Sequence, residues 1–221
     1  YLRGIRLVHV PTTVMAQVDS AIGGKVGVNH AAGKNLIGAY HQPAAVVVDP
    51  ALLATLPRRE FRAGLYEVVK YGVIASRPLF DQVSAHLSPL FARDASVLVP
   101  VITECCRIKG DVVEKDERES GPRRALNFGH TLGHALEAVT KYRRFRHGEA
   151  VGYGMLAAAN LAVARGAMPA EDRDRLATVV AQMGPLEEVS DLSAGKVVEA
   201  AGGDKKVIDG EMDLVLQTGM G

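Results

Sequence analysis

The sequence predicts two unequal parts, a β-containing piece at the N-terminal side and an all-helical domain from about residue 57 to 200. Three observations carry that expectation. Short β-branched runs broken by Pro and Gly fill the first fifty residues. From Pro57 onward apolar residues recur at helical spacing. A chain of 221 residues, 48% apolar and 23% charged, is long enough for a sizeable core and too ordinary in composition for disorder or a fibrous repeat.

Ile5 to Val10 is a β-branched run stopped by Pro11, and Ala44 to Val48 is a continuous apolar run between Pro43 and Asp49-Pro50, which predicts a buried strand. Between them lies a polar, Gly-rich stretch holding two Gly-Lys pairs, at Gly24-Lys25 and Gly33-Lys34. Helices follow. Phe61, Leu65, Val68 and Val69 share one helical stripe, as do Leu98, Val101, Ile102, Cys105 and Ile108. Ala125 to Thr140 and Gly148 to Ala164 are further apolar helical segments, and a more polar helix is expected around Ala170 to Met183. A strand-like run, Met212 to Leu216, closes the pattern, without internal repeats or low-complexity tracts.

Lys plus Arg number 26 against 25 for Asp plus Glu, so no global charge draws the chain to nucleic acid or an anionic membrane. The longest nearly apolar stretch, Ala150 to Ala164, is too short to span a bilayer. The only cysteines, Cys105 and Cys106, are adjacent, which disfavours a disulfide between them and predicts a reducing, cytoplasmic setting. The chain opens on Tyr-Leu-Arg-Gly-Ile-Arg without Met or a signal peptide and stops at Gln-Thr-Gly-Met-Gly, so both ends are expected to be cuts through a fold.

The sharpest chemical signal is Asn127-Phe128-Gly129-His130-Thr131-Leu132-Gly133-His134, with Glu137 one turn further. On a helix His130 and His134 share a face, and two glycines at the same spacing imply a close approach to the backbone. The pair reads as metal ligands, or as one ligand with an acid/base neighbour; the structural alternative is two polar residues at a helix crossing. His147, in Arg146-His147-Gly148-Glu149, reaches the same point if the two helices form an antiparallel hairpin across Lys141 to Arg146. Glu67 is the leading third ligand, being a carboxylate in an apolar helix, with an ion pair to Lys70 as its alternative.

The Gly-Lys pairs fail the Gly-x-x-x-x-Gly-Lys-Ser/Thr pattern, because Asp19 and Val28 stand where Gly is needed and Val26 and Asn35 follow the lysines. Their backbone amides, with Lys25, Lys34 and Asn35, still suit an anion such as phosphate; a plain loop is the alternative. The charged run Lys109 to Arg124 reads mostly as a solvated face.

Taken in order, Val10-Pro-Thr-Thr, Asp19-Ser-Ala-Ile-Gly-Gly-Lys25, Gly33-Lys-Asn-Leu-Ile-Gly, Glu67-Val-Val-Lys70-Tyr-Gly, Asn127 to His134, His147-Gly-Glu-Ala-Val and Asp204-Lys-Lys206 resemble the 3-dehydroquinate synthase family over nearly the whole chain. The resemblance implies an α/β remnant of a Rossmann-like domain at residues 1–56, the C-terminal part of an NAD-binding unit, followed at 57–221 by a helical metal- and substrate-binding domain. It implies conversion of 3-deoxy-D-arabino-heptulosonate 7-phosphate to 3-dehydroquinate and phosphate, in the shikimate route to aromatic amino acids. NAD is used catalytically, with Zn2+ or Co2+ as the metal.

By the same resemblance Glu67, His130 and His147 are the metal ligands, and His134 moves to a supporting or phosphate-side place. Asp19, Lys70, Lys109, Glu119, Arg123, Asn127, His134 and Lys205, one of the Lys205-Lys206 pair, match catalytic positions. Thr12, Thr13, Lys25 and Lys34 match cofactor contacts. Arg3, Lys25 and Asn35 match substrate contacts, Arg3 near a subunit boundary. The implied partner is a small-molecule substrate in a homodimer, without nucleic acid or membrane. One departure stands out: no Gly-x-Gly-x-x-Gly occurs, so the main cofactor-binding half is expected to be absent and this chain alone inactive. Alternatives are another NAD- and zinc-dependent sugar-phosphate cyclase, the metal-dependent glycerol dehydrogenases of similar fold, or an inactive metal-binding fragment.

Overall fold

The structure, a computed structural model, describes residues 5–30, 33–202, 207–208 and 211–221, with side chains described at 5–28, 37–202 and 213–221. Strand β1 (Val8–His9) pairs in parallel with β4 (Ala45–Val46), Val8 opposite Ala45. The segment between them makes a π-helical turn at Ala16–Ser20 and then an antiparallel hairpin, β2 (Lys25–His30) with β3 (Gly33–Tyr40), Lys25 opposite Tyr40. Lys25 therefore opens β2 directly after Gly24, and Gly33-Lys34 opens β3 of the same hairpin, where Gly27 stands opposite Gly38.

The expected buried strand at Ala44 to Val48 is corrected. Only Ala45 and Val46 pair, and Val47 is 53% exposed. Among the described residues this sheet has two strands, so β4 is paired along one edge, and within the run only Val46 and Val48 are partly buried, Val48 against the main core.

A 3-10 turn at Pro50–Thr55, capped by the Asp49 carboxylate on the Ala51 amide at 2.9 Å, leads into the helices. These are α1 (Arg58–Ala75), α2 (Arg77–Ala85), α3 (Leu87–Phe91), α4 (Ala95–Lys115), α5 (His130–Val139), α6 (His147–Ala164), α7 (Ala170–Gln182) and α8 (Ala194–Gly202). The hairpin β5 (Val207–Ile208) with β6 (Glu211–Met212) follows. The strand expected at Met212 to Leu216 keeps only Met212; the next residues are irregular. No helix among the described residues is long and apolar enough to cross a membrane.

Helix α1 is the centre of the core. Phe61, Leu65, Tyr66, Val68, Val69, Tyr71 and Val73 are all buried on it, against Phe80, Leu98, Val101, Ile108, Phe128, Val151 and Met155. Val14, Val18 and Leu53 belong to the same cluster, so the N-terminal segment packs directly on the helices. A smaller cluster of Ala135, Leu136, Phe145, Ala150, Val197 and Ala201 ties α5, α6 and α8 together.

The continuous helix expected from Ala125 to Thr140 is broken instead. Pro122–Asn127 is a 3-10 turn, and Gly129 caps α5 in the left-handed region at φ 77°. A side chain there would be strained, and its Cβ would lie 2.7 Å from Met155. Gly133, one turn on, faces Val151. The partner number falls as the α5 number rises, so α5 and α6 run antiparallel, as the histidine argument required. The close approach signalled by the two glycines is that of α6 itself.

Candidate active site

Helix α1 presents Glu67, Lys70 and Tyr71 at i, i+3 and i+4, one face and one turn. Glu67 is fully buried. Its Oε2 takes the Lys70 ammonium, so the ion pair foreseen as the alternative to metal binding does form. Its Oε1 is buried without a hydrogen-bond partner. The Nε2 atoms of His130 and His147 lie 3.6 and 3.7 Å from that oxygen. Each histidine opens its helix, and each is anchored through its other nitrogen. His130 Nδ1 is 3.1 Å from the Phe128 carbonyl, and His147 Nδ1 is 3.1 Å from Glu137 Oε2. Both partners can only accept, so each Nδ1 carries the hydrogen and each Nε2 turns a lone pair toward Glu67.

One carboxylate oxygen and two imidazole nitrogens thus converge within 4.8 Å of one another, with no hydrogen between them. Left so, the lone pairs repel and the orphaned Glu67 oxygen costs on the order of 1–3 kcal/mol. A divalent cation removes both penalties, and an O,N,N donor set suits zinc-like metals. The residues therefore fit the group. His134, Glu137 and His147 form a second converging trio. There the Nδ1 hydrogen of His147 is already committed to Glu137, so that nitrogen has no free lone pair.

The start of α6 is seated by two features. A Cβ on Gly148 would lie 1.8 Å from the Ala63 carbonyl, so the α6 backbone touches α1 where only glycine fits. Glu149, fully buried, accepts from Arg59 and Arg62 of α1 and closes a capping box with Arg146.

Electrostatics hold the cluster ready for a cation. Burial, then the charge on Lys70 and the neighbouring His147 and His134, push His130 well below the usual 6.5, so it is neutral at pH 7. Burial works against the Lys70 ammonium, but Glu67 and Asp19 overcome it and raise its pKa. Burial likewise opposes the Asp19 carboxylate, yet Lys109 and Lys70 hold it well below the usual carboxylate range. Burial and the charges of Asp19 and Glu67 push the Tyr71 phenol up, so it stays a neutral donor.

Asp19 belongs to a cleft of about 600 Å³ lined by Ser20, Lys25, Tyr40, Lys109 and Arg123. Lys109 Nζ and the Tyr71 hydroxyl donate to Asp19 Oδ1 at 2.6 and 2.8 Å. The buried Arg123 guanidinium donates to the Gly23 carbonyl at 3.0 Å and to the Glu117 carbonyl. Asp116 shapes that loop by accepting the Gly121 and Arg123 amides at 2.7 and 3.1 Å. Glu119 is held at φ 62°, a left-handed conformation uncommon for glutamate, and accepts from Asn127 at 2.5 Å and from Lys25. Lys25, Lys109 and Arg123 against the carboxylates of Asp19 and Glu119 leave one positive charge in excess, which suits the cleft to an anionic ligand.

The structure therefore brings together Asp19, Lys25, Glu67, Lys70, Lys109, Glu119, Arg123, Asn127, His130, His134 and His147, whose ring stacks on that of His134 at 5.8 Å. Thr13 uses its hydroxyl to accept the Ala16 amide at 3.1 Å, and Thr12 is exposed beside it. Lys34 and Asn35 lie in β3, with side chains outside those described, and Arg3 and Lys205 lie outside the described residues. Most of the run Lys109 to Arg124 is solvent-facing as expected, but Lys109, Asp116 and Arg123 are buried. Sequence reasoning gave no role to Tyr71 or Asp116. An apolar helix face hides a phenol's partner, and an acidic residue in a charge run gives no sign that it organises a turn.

The family model described as 3-dehydroquinate synthase C-terminal matches residues 64–207, and that described as 3-dehydroquinate synthase N-terminal matches residues 1–63. A 3-dehydroquinate synthase from Geobacter metallireducens is 52% identical over the whole chain, which spans 61% of that relative. Among solved structures, a 2-epi-5-epi-valiolone synthase from Streptomyces hygroscopicus subsp. jinggangensis 5008, with NAD+ and Zn2+ bound, superposes with a TM-score of 0.90 at 28% identity. It is covered to 62% by the whole of this chain. A 2-deoxy-scyllo-inosose synthase complexed with carbaglucose-6-phosphate, NAD+ and Co2+ has a TM-score of 0.88 at 30% identity, 61% of it covered by the whole of this chain. The chain thus spans about three fifths of the length of the curated relatives it matches.

Proposed function

The chain belongs to the 3-dehydroquinate synthase family, and from that premise we propose that it carries the metal and substrate machinery of a 3-dehydroquinate synthase. The reaction is the conversion of 3-deoxy-D-arabino-heptulosonate 7-phosphate to 3-dehydroquinate and phosphate. The observation that carries this reading is the convergence of Glu67 Oε1 with the Nε2 atoms of His130 and His147, joined through Lys70 on α1 to the cationic cleft. Identity supports the synthase over its cyclase cousins: 52% to the Geobacter relative, against 28% and 30% to the two solved cyclases.

In this proposal Glu67, His130 and His147 hold a divalent cation. When bound, the cation supplies Lewis acidity to a hydroxyl or carbonyl oxygen, and NAD supplies a hydride acceptor and donor. The chain's own residues do the rest. Lys25, Lys109 and Arg123 match the carboxylate and phosphate of a doubly anionic substrate. Lys70 neutralises Glu67 Oε2, so that only Oε1 faces the metal. Asp19, fixed by Lys109 and Tyr71, remains an anion across the neutral range and orients a substrate hydroxyl through hydrogen bonding. Asn127 and Lys25 fix the Glu119 carboxylate at the mouth of the cleft. His134, whose ring contacts those of both ligand histidines, donates toward the leaving phosphate in this reading.

We read residues 1–56 as the end of an NAD-binding α/β unit of Rossmann type and 57–221 as the helical unit. Thr12, Thr13, Lys25 and Lys34 then serve the cofactor, Arg3, Asn35 and Lys205 serve the substrate, and the assembly is a homodimer. The 221 residues alone are expected to bind metal without turning over. The function is tested by phosphate release from the full-length protein, supplied with NAD and zinc. Release from heptulosonate phosphate but not from sedoheptulose 7-phosphate is expected, because only the first carries the carboxylate that the cations match. The reverse preference would replace the synthase by another sugar-phosphate cyclase.

A further inference from the structure

We infer that Glu137 is a positioning residue for the metal centre: its buried carboxylate accepts the Nδ1 hydrogen of His147 and so fixes which nitrogen of that ring is free to bind. The inference rests on the reading of Glu67, His130 and His147 as ligands. The two histidines are anchored differently. His130 leans on a backbone carbonyl, which the fold supplies whatever the side chains are, whereas His147 leans on a side chain, Glu137 Oε2 at 3.1 Å. His147 is also the more exposed ring, with 27% of its side chain accessible against 11% for His130. Packing restrains it less, and the hydrogen bond matters more for its orientation.

Topology makes the contact possible. Glu137 sits in the last turns of α5 and His147 opens the antiparallel α6, so the short connection between them returns the chain to the same level. The Tyr142 amide closes that connection by donating to the Glu137 carbonyl at 2.7 Å. A carboxylate acceptor holds Nδ1–H more strongly than an amide oxygen and pushes electron density toward Nε2, which strengthens that nitrogen as a ligand. Without it the ring can protonate Nε2 instead, and the atom facing Glu67 becomes a donor that repels a cation.

The test is zinc affinity by competition with a chelator, measured on the full-length protein and on Glu137→Gln, Glu137→Asp and His130→Ala, with thermal melts to confirm folding. Glu137→Gln is expected to weaken zinc about 10–100-fold at unchanged stoichiometry, with a shifted visible spectrum of the cobalt-loaded protein and partial recovery in Glu137→Asp. Affinity and cobalt spectrum unchanged in Glu137→Gln, with zinc lost in His130→Ala, overturn the inference while leaving the ligand reading intact. Zinc retained in His130→Ala but abolished in Glu137→Gln overturns both and makes Glu137 itself a ligand. Nitrogen NMR of the metal-free full-length protein gives a second readout: His147 protonated on Nδ1 in the wild type and a mixture of tautomers in Glu137→Gln are expected, and an Nδ1-protonated ring unchanged in Glu137→Gln overturns the inference.

Discussion

Glu149→Gln is expected to loosen the join between α6 and α1 that seats His147. The carboxylate has no exposed surface and takes four hydrogen bonds: Arg59 Nε at 2.8 Å and Nη2 at 2.7 Å, Arg62 Nη2 at 2.7 Å and the Arg146 amide at 2.9 Å. Gln keeps the shape, but one of its two positions becomes an NH2 group facing a guanidinium, so donors meet donors. Breaking a buried ion pair on one side costs about 3–5 kcal/mol. Arg59 is 39% exposed and Arg62 17%, so water recovers part of their solvation and the low end applies, about 3 kcal/mol. For a domain of this size that is a fall in melting temperature of roughly 6–12 °C.

The pH dependence has a definite sign. Burial opposes the Glu149 charge, but its arginine and amide donors win and hold the folded pKa below the usual 4.5. Its stabilisation is therefore complete above about pH 4.5 and fades as pH falls through the folded value. Melting curves from pH 7 down to pH 3 should show the gap between wild type and Glu149→Gln closing in acid. A gap under 1 °C at pH 7, or one that does not narrow in acid, refutes the reasoning.

Gly148→Ala places a methyl group 1.8 Å from the Ala63 carbonyl and should push α6 off α1, with about 3 kcal/mol lost and weaker zinc binding; wild-type melting and affinity would contradict this. Tyr71→Phe removes the 2.8 Å hydrogen bond to Asp19 and should lower stability by about 1–2 kcal/mol at neutral pH, read from urea unfolding. Because Asp19, despite its burial, is kept ionised by Lys109 and Lys70 well below the usual 3.8 in the folded chain, that loss should stay the same from pH 7 down to pH 4; a loss that fades over that range would show that the phenol does not serve the anion.

Local pattern carried much of this in the sequence. The Gly129/His130 and Gly133/His134 spacing reported a helix crossing and a metal-sized cluster, because helical periodicity and glycine spacing are both local facts. Glu67 stood out as a carboxylate in an apolar helix, and the structure gives it both readings at once, one oxygen on Lys70 and one facing the histidines. What failed was burial that depends on distant layers. The run Ala44 to Val48 has a core-strand composition, yet whether such a run is covered is decided by strands far away in sequence. The break at Gly129 was hidden because a left-handed glycine and a helical one read alike. Glu137 was visible at the right spacing, but its partner, His147, becomes one only when the next helix folds back.

The most direct measurement of the central claim is the zinc coordination sphere itself, by X-ray absorption at the zinc edge on the full-length protein as isolated and as its His130→Ala and His147→Ala variants. Glu67, His130 and His147 as ligands predict two imidazoles at about 2.0–2.1 Å with oxygen completing the sphere, and one imidazole fewer in whatever zinc either variant retains. A sphere with one imidazole or with sulfur, or one unchanged in both variants, would place the metal elsewhere and remove the basis of the proposed function.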